Sequence, residues 1–209
     1  MRSVLIAAAA ALALAAPAFA QQGAAPAPAK APAGAYVLDK PHASLLWKGL
    51  HQGLSFYSAR FNTFDIQLDF NPDDVTKSKI TATIDPKSIE TDDDAKRASG
   101  QSKFDSELAD GATFFNSAKF PQITFASTAI TKSGDNTGKM TGDLTFLGVT
   151  KPVTLDVTMN GGRADARTQK FKVGFTATGS LKRSDFGMSP GGSLADEIRL
   201  EINAELIQK

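Results

Sequence analysis

The sequence contains no cysteine and only two histidines, His42 and His51. Disulfide bonds, thiol nucleophiles and thiolate metal ligands are therefore excluded. A zinc site needs three or four histidine, cysteine or carboxylate ligands, which two histidines alone do not supply. The chain also lacks a G-x-S-x-G elbow, a P-loop and a G-x-G-x-x-G motif. We expect no metal ion, no cofactor and no catalytic activity.

The sequence also has no large excess of positive or negative charge. Lysine and arginine number 23 against 22 aspartate and glutamate residues, which gives a formal net charge of +1. No block of basic residues stands out, so the pattern argues against nucleic acid as a partner. It argues equally against electrostatic capture by an anionic membrane. We expect neither nucleic-acid binding nor stable membrane insertion.

The N-terminus has the three parts of a secretory signal peptide. Arg2 is followed by the apolar residues 4–16 and by an A-x-A cleavage site at residues 18–20. The apolar run is short for a membrane span, and a retained signal anchor is the alternative. We predict a signal peptide over residues 1–20, export, and a periplasmic location.

An Ala/Pro-rich segment separates this leader from the rest of the chain. Residues 21–35 show no apolar periodicity, which predicts an extended, disordered linker. The remaining residues, 36–209, are long enough to form one sizeable hydrophobic core. We therefore predict a single folded domain over residues 36–209.

That domain is dominated by alternation of apolar and polar residues. The clearest example lies near the C-terminus, where Ile198, Leu200 and Ile202 alternate with charged residues. A period of two is typical of strands with one buried face. About eight such segments with mostly short connections predict an all-β fold of antiparallel strands. A closed barrel is favoured, and a sandwich is the alternative.

One stretch departs from this pattern. Thr91 followed by the acidic residues 92–94 resembles a helix N-cap and first turn, and residues 95–108 form a weak helical pattern broken near Gly100. We predict a short helical insertion around residues 91–110 that covers part of the sheet.

Large apolar side chains recur on the expected inner faces of the strands. If residues 60–70 form one strand, Arg60, Phe64, Ile66 and Leu68 share a face. Other inward positions are Phe125, Leu144, Phe146, Leu155 and Phe175. An eight-stranded barrel either fills its interior with side chains or holds one small ligand. These rows are thus the wall of a packed core or of an apolar pocket.

Four segments, at residues 36–61, 114–127, 142–157 and 181–202, resemble the YceI-like family of exported, lipocalin-like proteins. The resemblance implies an extended, antiparallel, eight-stranded lipocalin-like barrel. It also implies an apolar tunnel that binds a polyisoprenoid chain or an isoprenoid quinone.

The resemblance places several residues at the wall or mouth of such a tunnel. Only His42, His51, Phe125, Arg183, Asp185 and Phe186 rest on motif positions of the matching segments, whereas the other positions come from the assignment of strand faces. The full set of expected ligand-binding residues is His42, Trp47, His51, Arg60, Phe64, Ile66, Leu68, Phe125, Leu144, Phe146, Leu155, Phe175, Arg183 and Phe186.

The sequence thus leads to a hypothesis of a periplasmic carrier for an amphiphilic isoprenoid lipid, which shuttles, stores or shields it. One alternative is an interaction or stress protein whose barrel is filled by its own side chains. Another is an enzyme that acts on an isoprenoid substrate through His42 or His51. A homodimer is compatible with each of these hypotheses.

Overall fold

The structure, a computed structural model, describes residues 30–91, 103–189 and 191–209. The predicted signal peptide and residues 21–29 of the predicted linker lie outside this part. The first described residues already belong to the fold, because Ala31 is buried and the first strand begins at Gly34.

The described residues form ten strands and one short α-helix. The strands are β1 (Gly34–His51), β2 (Ser55–Phe61), β3 (Phe64–Phe70), β4 (Lys79–Ile84), β5 (Ile89–Thr91), β6 (Ile123–Lys132), β7 (Thr137–Phe146), β8 (Val149–Ala164), β9 (Phe171–Lys182) and β10 (Leu194–Gln208). The helix, α1, spans Phe104–Asp110. Single 3₁₀ turns occur at Val75–Lys77, Pro86–Ser88 and Arg183–Phe186.

Eight of the strands close into an antiparallel barrel. Around the barrel the order is β1, β10, β9, β8, β7, β6, β4 and β3, and β3 pairs with β1 again. The first strand is long enough to have two neighbours on one edge. Residues 34–37 pair with β3, and residues 45–51 pair with β2. The predicted all-β, eight-stranded antiparallel barrel is confirmed.

The break between β2 and β3 corrects the prediction of one strand over residues 60–70. The chain turns at Asn62 and Thr63, whose backbone N–H groups donate to the backbone oxygen and the hydroxyl of Ser88. Because the turn shifts the phase of the alternation, Phe61 is buried and Arg60 is exposed.

The described part of the helical insertion predicted around residues 91–110 contains α1 at Phe104–Asp110. Thr91 is the last residue of β5, which pairs with β2, and the predicted first helical turn at residues 92–94 lies outside the described residues. Thr91 is fully buried, and its backbone N–H and hydroxyl donate to Asp105 Oδ1 at 3.0 and 2.6 Å. These bonds fix the start of α1 against the sheet. Residues 92–102 lie outside the part of the chain that the structure describes. No helix in the described ranges has the length and apolarity needed to cross a membrane.

Candidate functional site: a tunnel through the barrel

The interior of the barrel contains a cavity of about 840 Å³. It runs along the strands and reaches the surface at both ends. At one end it is lined by exposed residues of the β6–β7 turn, including Asp135 and Lys139. At the other end it is bordered by His51 and by the exposed residues Gly192 and Ser193, just before β10. The cavity is therefore a tunnel rather than a closed void.

Strand alternation explains why the tunnel wall is apolar. In β8, Val153, Leu155 and Val157 line the cavity, whereas Thr154 and Asp156 between them are exposed. The pleat sends successive side chains to opposite faces, so the apolar row of each strand points inward.

Small side chains leave the space open. Ala82, Ala177 and Ala204 lie on β4, β9 and β10, and all three line the cavity. Their side chains end close to the barrel wall, so they leave unfilled the volume that leucine or phenylalanine would occupy. The barrel interior is accordingly only partly filled by its own residues.

Aromatic rings close one side of the tunnel at the His51 end. The ring of Phe115 packs edge-on against Phe61 and tilted against Phe146, with centroid distances of 5.4 and 5.6 Å. Phe104 of α1 packs edge-on against Tyr57 of β2 at 6.4 Å. Pairs of this geometry are favourable beyond the area they bury. The helix and the following loop thus form part of the tunnel wall, outside the barrel strands.

Arg183 holds the loop at this same end. Its Nη2 donates to the carbonyl oxygens of Gly191 and Leu194 at 3.1 and 2.6 Å. The next residue, Ser184, donates its hydroxyl and its backbone N–H to Asp196 at 2.7 and 2.9 Å. These bonds, together with attraction to Arg183, lower the pKa of the Asp196 carboxyl. The rim of the tunnel is therefore fixed by a polar network.

Two buried donors in the tunnel wall have no partner among the described residues. They are the indole Nε1 of Trp47 and the Nε of Arg183. Trp47 is 8% exposed and Arg183 is 6% exposed, and both line the cavity. A buried polar group without a hydrogen bond costs about 1–3 kcal/mol, so such groups are uncommon in folded proteins.

The structure brings ten of the fourteen predicted site residues to the tunnel. They are Trp47, His51, Ile66, Leu68, Phe125, Leu144, Phe146, Leu155, Phe175 and Arg183. Whether these residues contact a ligand stays a prediction.

Four predicted site residues lie outside the tunnel lining. Arg60 is exposed because of the turn between β2 and β3. Phe64 is buried at the first position of β3 and borders a smaller pocket between β1 and the turn that joins β2 to β3. Phe186 is buried, and its ring packs at 5.7 Å against Phe146, which does line the tunnel. Asp185, the motif residue just before Phe186 and not one of these four, is exposed.

His42, the fourth, lies on the outer surface. Its Nδ1 is 3.0 Å from Asp39 Oδ2. Lys172 donates to the same carboxylate oxygen at 2.5 Å and lies 3.7 Å from Glu205. Hydrogen bonding to Lys172 lowers the pKa of Asp39, and the same bond raises the pKa of Lys172.

The ligand atoms of Asp39, His42 and Glu205 lie within 4.8 Å of one another, a spacing that could hold a metal ion. The Lys172 ammonium, however, already supplies the positive charge in this cluster. Because His51 lines the tunnel, the two histidines do not share a site.

Sequence reasoning missed part of the tunnel wall. A single strand over residues 60–70 would place Phe61 on the outer face, and the alternation gives no face for Phe104, Leu108 and Phe115, yet all four line the cavity. The spacing of Phe104 and Leu108 was an available signal, since residues four apart share one face of a helix.

Comparison with known proteins places this geometry in a family. The YceI-like domain matches residues 36–206. Protein YceI of Salmonella arizonae is 35% identical over 182 residues, which are 86% of this chain and 90% of that protein. The YCEI protein of Campylobacter jejuni is a similar solved structure, with a TM-score of 0.62 and 32% identity. The match covers 72% of this chain and 84% of that one.

A third match supports the fold alone because the sequences have diverged. It is a polyisoprenoid binding domain from Saccharophagus degradans, with a TM-score of 0.62 and 12% identity. The match covers 83% of this chain and 98% of that one. Since the family domain spans nearly all of the barrel, this chain belongs to the YceI-like domain family.

Proposed function

We propose that this protein is a periplasmic carrier that holds one polyisoprenoid lipid, such as an isoprenoid quinone, in the tunnel of its barrel. The observation that carries the proposal is the apolar cavity of about 840 Å³ that runs through a closed eight-stranded barrel. A tunnel of this shape suits a long, flexible hydrocarbon chain better than a compact polar metabolite.

The energetics of such binding come from apolar burial. Removing hydrocarbon from water contributes about 25 cal/mol per Å². A tail that buries a few hundred Å² therefore gains on the order of 10 kcal/mol before the entropy of association is subtracted. An apolar wall makes few directional contacts with a tail, so the length and width of the tunnel set the selectivity.

Two further observations support this function over its alternatives. The interior is lined by Ala82, Ala177 and Ala204 and retains open volume, which disfavours an interaction protein with a filled barrel. His42 lies outside the tunnel, which disfavours the alternative of an enzyme that acts there through His42. The polyisoprenoid binding domain of Saccharophagus degradans has the same fold, and the leader-like N-terminus is consistent with export.

The experiment is native mass spectrometry of the protein recovered from the periplasmic fraction of cells that produce the full chain. Solvent extraction of the same sample identifies any bound mass. As a control, the extracted protein is refolded without lipid and then offered a long-chain quinone or prenol. A bound isoprenoid, lost on extraction and regained on addition, supports the carrier function. Lipid-free protein that takes up neither compound overturns it.

A further inference from the structure

We infer that the tip of the β1–β2 hairpin docks this protein on the surface of a lipid bilayer, with the tunnel mouth next to His51 facing the membrane. The tip consists of residues 52–56, and its Leu54 side chain enters the apolar layer below the lipid headgroups. The contact is peripheral and reversible, so it is compatible with the expected lack of stable membrane insertion. It rests on the proposed function only for the cargo that then passes through the mouth.

The tip exposes apolar side chains that the barrel does not use. Leu54 is 82% exposed and Phe56 is 46% exposed, and neither belongs to the tunnel lining. Phe114 is 36% exposed and lies at the same end, because the ring of its neighbour Phe115 packs against Phe146, the last residue of β7. Within the described ranges, these three are the exposed large apolar residues. Their gathering at one end differs from the scattered apolar residues that are normal on protein surfaces.

The hairpin turn holds Leu54 away from the barrel. Gln52 and Gly53 have φ angles of 52° and 72°, and the backbone N–H of Leu54 donates to the carbonyl oxygen of His51 at 2.9 Å. Positive φ at both central residues together with this bond is typical of a tight type I′ turn. The backbone N–H of Gln52 also donates to the carbonyl oxygen of Ser193 at 2.7 Å, which ties the tip to the loop before β10. Leu54 is therefore presented outward on a fixed tip.

The tip carries no charged side chain that would oppose entry into a bilayer. Residues 49–59, GLHQGLSFYSA, contain no lysine, arginine, aspartate or glutamate, although these make up 22% of the chain. Charges stand behind the tip, where the Arg199 guanidinium lies 4.4 Å from the ring centroid of Phe56 and 3.6 Å from Glu197. Such groups stay at headgroup level, because moving them into hydrocarbon is costly. Insertion is thus limited to the tip itself.

The tip borders one opening of the tunnel. His51 lines the tunnel and directly precedes the tip, and Ser193, which accepts the bond from Gln52, lines it as well. An apolar ligand that leaves a bilayer through water exposes its hydrocarbon surface, whereas a mouth held against the bilayer avoids that exposure. The opposite mouth is bordered instead by the exposed charged residues Asp135 and Lys139. The apolar tip therefore distinguishes the mouth that faces the membrane.

A second copy of the chain is the alternative partner for an apolar patch. The three exposed side chains present on the order of 300 Å² of apolar surface. Two such patches together bury about 600 Å², well below the roughly 1,200–2,000 Å² of a stable protein interface. A bilayer requires no complementary protein surface, and a small apolar patch suits the weak, reversible attachment of a peripheral protein. The bilayer is therefore the partner that this patch fits.

Phosphatidylcholine vesicles that contain a long-chain quinone test the docking through the rate of uptake. Leu54→Asn removes the apolar tip and leaves every residue of the tunnel lining in place. This variant is expected to take up quinone from vesicles about fivefold more slowly than the wild type, because it loses most of its apolar contact with the bilayer. Its affinity for quinone added from ethanol without vesicles is expected to be unchanged. Ala129→Asn is the matched control, since Ala129 is exposed on β6 away from the tip, and it should behave as the wild type in both measurements.

Leu54→Trp reads the docking directly and needs no cargo. Tryptophan prefers the membrane interface, so this variant is expected to bind quinone-free phosphatidylcholine vesicles more tightly than the wild type. Its emission is expected to shift to shorter wavelength when vesicles are added. The wild type provides the baseline, because its single tryptophan, Trp47, is buried. Raised salt should leave the vesicle binding unchanged, because charges do not drive it.

The outcomes separate docking from cargo binding. Slower uptake by Leu54→Asn from vesicles alone, together with the emission shift of Leu54→Trp, supports the inference. Equal uptake rates for the wild type and Leu54→Asn, or an unchanged emission, overturn the inference and leave the carrier function standing. If quinone is bound from neither source, the carrier function is overturned, and the emission of Leu54→Trp alone decides the docking. A dimer in native mass spectrometry that Leu54→Asn dissociates, without vesicle binding, overturns the docking in favour of a second copy.

Discussion

Replacing Ala177 by phenylalanine is expected to block the tunnel without damaging the barrel. Ala177 lies in the middle of β9, between Val157 of β8 and Ile202 of β10, and its side chain lines the cavity. A phenyl ring placed there projects into open volume rather than into packed atoms.

The expected magnitude follows from the carbons that the ring displaces. A phenyl group occupies the space of roughly six carbons, about one isoprene unit of a tail. At about 0.8 kcal/mol for each buried CH₂ group, this is an upper limit of about 5 kcal/mol. Half of that value corresponds to binding about fifty times weaker.

Stability is expected to change in the opposite sense. In a filled core, an added ring costs about 1–3 kcal/mol of unfolding free energy, because neighbours must move. In an open tunnel, the ring buries apolar area without displacing protein atoms, so the unfolding free energy is expected to stay constant or rise.

Urea unfolding followed by the fluorescence of Trp47 measures the stability, and quenching of the same fluorescence by a long-chain quinone measures binding. Thr178→Phe is the matched control, because Thr178 is the next residue on β9 and points outward. Loss of stability with unchanged quinone affinity for Ala177→Phe would refute the reasoning, since it would indicate a filled interior.

Three further outcomes are expected. Gly142→Ala should lower the melting temperature and cost about 1–3 kcal/mol, because the new Cβ would collide with the ring of Phe125 and lie 2.6 Å from a backbone oxygen of β6. Arg183→Met should cost a similar amount in urea unfolding, because two loop carbonyls lose their donor, and Arg183→Lys should cost less. Hydrogen bonds from Thr168 lower the pKa of Asp165 from 3.8 to about 2, so the stabilisation from this carboxylate is complete above pH 3.8 and lost as the pH falls toward 2. The stability difference between the wild type and Asp165→Asn, measured by urea unfolding, should therefore shrink as the pH falls from 3.8 through 2.

The barrel could be predicted because alternation is a local signal. Each strand carries its own inner row, and short connections favour antiparallel neighbours. The break at Asn62 and Thr63 could not be predicted in this way. Neither residue is glycine or proline, and the turn is held by Ser88, 25 positions further along the chain. Contacts of that separation leave no mark in the local pattern, so the faces of Arg60 and Phe61 were exchanged.

The tunnel was harder to predict than its wall. Alternation identifies Leu144, Phe146 and Leu155 as inward-facing, but it does not tell whether the space between them is filled. That depends on which residues of neighbouring strands lie opposite one another: Ala177 of β9 lies opposite Ile202, and Ala204 of β10 lies opposite Phe175. Phe186 shows the same limit, because it is buried against Phe146 and lies behind the lining.

The pairing of β1 with β10 has a consequence for folding kinetics. It joins the first and last strands of the barrel, so that Lys48 bonds Glu201 across 153 positions of sequence. Contacts this distant are slow to form, because the entropy of closing the chain is lost before they stabilise it. The tunnel cannot be complete until the final strand is available, and a chain truncated before β10 would leave β1 and β9 with open edges prone to intermolecular pairing. Acquisition of a ligand is therefore confined to the finished chain.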